Sequence, residues 1–105
     1  MNMNEVYEMA QFCFPWSLVE IKENIITVDN YSISQTKIEV ATLAGPRQFP
    51  GYIVIQENAP DEIVLVECLS AQKAFRELAK ALAVDSVNRA FDIYDPCLVV
   101  NPKTL

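Results

Sequence analysis

Fourteen carboxylates, four tyrosines and three cysteines are the side chains of this chain best able to do chemistry, and there is no histidine. Without imidazole the commonest general base and the commonest metal ligand are missing. A cysteine nucleophile needs its thiolate stabilised by histidine or another cation, and a serine-histidine-acid relay has no central member. Cys13, Cys68 and Cys97 are far apart in the chain, so the paired spacing of a structural zinc site is absent. The two glycines, Gly45 and Gly51, cannot build a phosphate-cradling loop, and the segment between them carries no lysine. Carboxylates remain. Glu20 and Glu23 face apart if both lie in one hairpin, Asp61-Glu62 reads as an exposed turn, and Asp92 and Asp95 around Tyr94 offer too few oxygens for calcium. The sequence therefore assigns no catalytic residue, no metal ligand and no cofactor, and the expectation is a protein that is not an enzyme.

Charge then narrows the partners. Fourteen acids against eight bases give a formal charge of −6, which disfavours nucleic acid because phosphate neutralisation needs a basic surface. The acids are concentrated early: residues 1–70 hold ten acids and three bases, and residues 71–105 hold four acids and five bases. The apolar runs, such as Ile63 to Val66, are far shorter than the roughly 20 residues a membrane span needs. No basic residue precedes an apolar stretch at the N-terminus, so no secretory signal is read there. Three cysteines without a CxxC pair fit a reducing compartment, and a cytoplasmic location is expected. Each cysteine reads as a small buried apolar residue, Cys68 most clearly.

Two surfaces stand out as ways to meet another protein. The first combines Phe14 and Trp16 of the segment Phe12-Cys13-Phe14-Pro15-Trp16 with Arg47, Phe49 and Tyr52, which surround a segment bracketed by prolines. Aromatics and arginine dominate the energetic centres of interfaces. For Trp16 the competing reading is an anchor that fixes the N-terminal segment to the core. The second surface is the stripe Lys73, Arg76 and Lys80, which either is a plain solvated helix face or meets the acidic half of another copy in a homodimer.

The elements that position these residues follow from pattern. Val6, Met9, Ala10 and Cys13 recur at helical spacing, and Phe14-Pro15 ends that short N-terminal helix. Residues 17–22 and 25–28 read as a hairpin about Glu23-Asn24, and Asp29-Asn30 as a second turn before a strand at 31–34. A further strand is expected at 37–43, then a loop over Gly45-Pro46-Arg47-Gln48-Phe49-Pro50-Gly51, then strands at 52–57 and 62–69 joined by a four-residue connection. The doubly apolar run at Ile63 to Val66 points to a central strand. Ser70 caps an amphipathic helix over 71–83 with Phe75, Leu78, Ala79 and Leu82 inward, and Asp85 or Ser86 starts a second short helix that Pro96 ends. Residues 97–100 would return as an edge strand.

The sum is a single α+β domain over residues 1–105, with an antiparallel sheet of about five or six strands packed with the C-terminal helix, an outline that also suits a pleckstrin-homology-like topology. The expected function is a non-enzymatic protein-interaction domain, such as a small acidic inhibitor or immunity-type protein that binds a larger, basic protein. The alternatives are a self-associating regulatory or structural subunit, and a small carboxylate-based enzyme or ligand-binding domain.

Overall fold

The computed structural model describes residues 2–58 and 60–94, with side chains to Phe91. Helix α1 (Met3–Cys13) begins at an Asn2 cap, whose side chain accepts from the Glu5 amide while the Glu5 carboxylate accepts from the Asn2 amide. Five strands follow: β1 (Val19–Lys22), β2 (Ile25–Val28), β3 (Tyr31–Thr42), β4 (Gly45–Asn58) and β5 (Asp61–Cys68). Each pairs antiparallel with its sequence neighbour, so the order across the sheet is β1-β2-β3-β4-β5. Edge strands β1 and β5 do not meet, and the described strands form an open sheet. Helix α2 (Ala71–Tyr94) closes the fold. This is the expected α+β architecture, with five strands.

The turns obey local backbone chemistry. Glu23 and Asp29 take left-handed angles, φ 55° and 53°, at the two-residue connections on either side of β2. The third turn ends on Gly45 at φ 105°, which glycine tolerates without a steric penalty.

Both helices pack on one face of the sheet. Ile26, Ile33 and Val54 lie in cross-strand register on that face, and Met3, Val6 and Ala10 of α1 and Ala74, Phe75, Leu78 and Leu82 of α2 cover them. Phe14 and Phe75 bring the two helices together, their rings 5.9 Å apart and tilted by 39°. Ser70 caps α2 as expected, its hydroxyl accepting from the Lys73 amide at 3.2 Å.

Four expectations are overturned. The 45–51 segment is not a loop: it pairs residue for residue with 36–42, from Thr36 against Gly51 to Thr42 against Gly45, and merges the expected separate strands into one long hairpin. β5 pairs with β4 only from Tyr52 onward, so residues 45–51 have an outer side that is unpaired among the described residues. Pro46 and Pro50 share one parity of the strand, which lets both lacking amides face that unpaired side. Second, β5 is an edge strand and not a central one, with Ile63, Val64 and Leu65 exposed. Third, α2 does not stop at residue 83 but continues to Tyr94, because Asp85 does not cap a new helix; its carboxylate accepts from the Tyr31 hydroxyl. Fourth, Cys13 is exposed, whereas Cys68 is buried as expected. Cys97 and the expected 97–100 strand lie outside the described residues.

Candidate functional site

Neither of the described helices lies on the second face of the sheet. Alternation along the strands puts Ile25 of β2, Ile38 and Val40 of β3, Phe49, Ile53 and Ile55 of β4, and Val64 of β5 on this side. Ile25 is 45% exposed, Phe49 38% and Val64 52%, while Ile38, Val40, Ile53 and Ile55 are half-buried. At its middle the Ile38 side chain lies over Gly51, which has no side chain to obstruct it. Contiguous apolar surface of this kind is uncommon on a monomer that meets no partner.

A second apolar surface lies at the corner between α1 and β1. Trp16 is 97% exposed, Phe12 86% and Leu18 66%. The backbone there is fixed rather than loose: Ser17 donates to the Phe14 carbonyl at 3.1 Å, and Leu18 donates to the Asp29 carboxylate at 3.0 Å. The corner holds a large aromatic out into water on a defined support, and the nearby helix α1 brings Glu5 and Glu8 with no base.

The five residues singled out in the sequence are split among three places. Phe14 packs on Phe75 and Tyr52 packs on the core, so both are structural. Trp16 is free at the α1–β1 corner. Arg47 and Phe49 lie near the tip of the β3–β4 hairpin, at the other end of the sheet, on its uncovered face. Trp16 does not join them. Lys73, Arg76 and Lys80 are all exposed on the outer side of α2, and Lys80 pairs with Glu77 at 3.4 Å. Because α2 is continuous, Val84, Val87 and Phe91 prolong that same stripe as an apolar run, at 58%, 53% and 57% exposure. A helix restarted at residue 85, as the sequence suggests, would not continue this stripe from Lys80. The four-three spacing of 80, 84, 87 and 91 was the available signal.

Chemically capable groups converge in one shallow groove between α2 and β5, lined by Tyr31, Leu65, Glu77, Lys80, Val84 and Asp85. Burial, and then the hydrogen bond to Asp85, push the Tyr31 hydroxyl up to about 12. Tyr31 therefore keeps its proton at neutral pH and serves as a donor that ties β3 to α2. Among the described residues no group of three metal-binding side chains forms, and no helix is long and apolar enough to cross a membrane. Comparison with family models, with curated proteins and with solved structures returns no match.

Proposed function

We propose that this chain is a non-enzymatic protein-interaction domain that docks a larger, basic protein, in the manner of a small acidic inhibitor or immunity-type protein. The observation that carries the reading is the 97% exposure of Trp16 on a hydrogen-bonded corner, with Phe12 and Leu18 beside it in sequence. A tryptophan held out in water gains nothing for the fold, whereas buried in an interface it is among the strongest contributors to affinity. The acids Glu8 and Glu20, within a chain of net charge −6, would steer a cationic partner toward that corner.

The test is capture of a basic protein from the native host, its identification, and measurement of its affinity for the purified chain. Trp16→Ala should weaken binding about thirtyfold, the loss typical of an interface hot spot, with an unchanged circular dichroism spectrum. Raising the salt should slow association. Full affinity in the Trp16→Ala chain, or turnover of a small compound by the purified protein, would overturn the reading.

A further inference from the structure

Along its uncovered side β4 reads Arg47, Phe49, Gly51, Ile53, Ile55, Glu57, since every second residue of a strand shares a face. A cation stands at one end of this row, an anion at the other, and apolar residues fill the middle. Such an order is self-complementary. Rotating a second copy by a half turn about an axis that lies in the contact plane and passes over β4 at the level of Tyr52 sets Arg47 against Glu57, Phe49 against Ile55 and Gly51 against Ile53, and sets each contact twice. We propose that two copies of this chain pair face to face through the uncovered side of the sheet in this register, each long hairpin lying across the body of the other.

Three observations support a second copy over any other occupant. Arg47 and Glu57 are both exposed, and among the described residues neither joins an ion pair. They stand ten residues apart on one extended strand, roughly 33 Å at the rise of a β-strand, so they cannot meet within one chain. Finally, a uniformly basic partner would match Glu57 but repel Arg47, whereas a second copy satisfies both ends. The relief fits as well. Phe49 of one copy falls on the row of Ser32, Ile55 and Val64 of the other, where Ser32 is small and Val64 is 52% exposed. This surface is separate from the Trp16 corner, and the pairing stands or falls independently of the reading above.

Sedimentation of the full chain at about 10–200 micromolar, a range suited to a small interface, should show a dimer. Arg47→Glu and Glu57→Arg should each weaken it about tenfold, because each reversal spoils two symmetry-related contacts. The double variant Arg47→Glu/Glu57→Arg should restore dimerisation to within about twofold, since the exchanged charges again face each other. Both sites are exposed, so circular dichroism should report the same fold throughout. A chain that stays monomeric, a dimer indifferent to the single reversals, or a double variant as weak as the singles would overturn the proposal. Trp16→Ala should leave the dimer intact, and a monomeric result would not touch the heterotypic reading of the Trp16 corner.

Discussion

Two rows of side chains one residue apart on the same strands differ sharply in what covers them. Ile26, Ile33, Val54 and Val66 run across β2 to β5 beneath the helices, and Ile26, Ile33 and Val54 are at most 1% exposed. Ile25, Ser34, Ile53 and Glu67 form the adjacent row on the other side, where Ile25 is 45% exposed and a glutamate ends the line. Both rows contain β-branched residues at the centre. The first row is apolar from end to end because nothing else could sit under α1 and α2, whereas the second mixes isoleucine with serine and glutamate. Burial within the chain selects for uniformity, and a face that water reaches tolerates polar and charged residues among apolar ones.

Substitution to alanine breaks this comparison most directly. Ile33→Ala empties a fully buried site and should cost about 3 kcal/mol by denaturant unfolding. Ile53→Ala, measured in dilute solution, should cost under about 1 kcal/mol, because water already reaches that face. Equal losses at the two positions would mean that the faces do not differ in the way the burial indicates.

Gly51→Ala sharpens the boundary between body and hairpin. A Cβ there would meet the Ile38 side chain and would lie 2.9 Å from the Cys68 carbonyl oxygen. Ile38 can rotate away, but the carbonyl belongs to the backbone of β5. A loss of about 1–3 kcal/mol in thermal or denaturant unfolding is expected, and an unchanged midpoint would show that β5 can shift to accommodate the methyl group.

A further effect concerns the bond that ties the covered face to the outer half of α2. Tyr31→Phe leaves the half-buried Asp85 carboxylate without its donor and should cost about 1–2 kcal/mol. The pH dependence has a definite sign. Folding raises the Tyr31 hydroxyl from 10.0 to about 12, so the native state holds its proton more tightly than the unfolded chain. The associated stabilisation is fully present below pH 10 and disappears as the pH rises toward 12. Unfolding curves collected across that interval should therefore show a steeper loss in the wild-type chain than in Tyr31→Phe.

Much of the fold was legible because local chemistry decided it. Pro15 ended α1, Ser70 capped α2, and the turns at Glu23-Asn24 and Asp29-Asn30 had the residue types that tolerate left-handed backbone angles. What could not be read was which side of an element would be covered. Pro46, Gly45, Pro50 and Gly51 looked like loop punctuation, because nothing in their spacing reveals that one edge of a strand has no neighbour and can therefore accept proline. Ile63 to Val66 looked central because a doubly apolar strand at an edge leaves the same pattern as one covered on both faces. Asp85 looked like a cap because its partner, Tyr31, is 54 residues away in sequence. Of the site, Trp16, Arg47 and Phe49 were visible by type. Their separation to opposite ends of the sheet depended on the length of the β3–β4 hairpin, which the proline reading had concealed.

Pro46 and Pro50 also limit how this hairpin can fail. An extended ribbon with a bare margin invites further strands to add one after another, the route by which soluble proteins turn into fibrils. Two rigid rings where amide donors would be needed deny that margin a regular ladder. Lateral addition at the β4 margin is thereby blocked, while the opposite margin, Thr36 to Thr42 of β3, extends past its pairing with β2 and carries no proline.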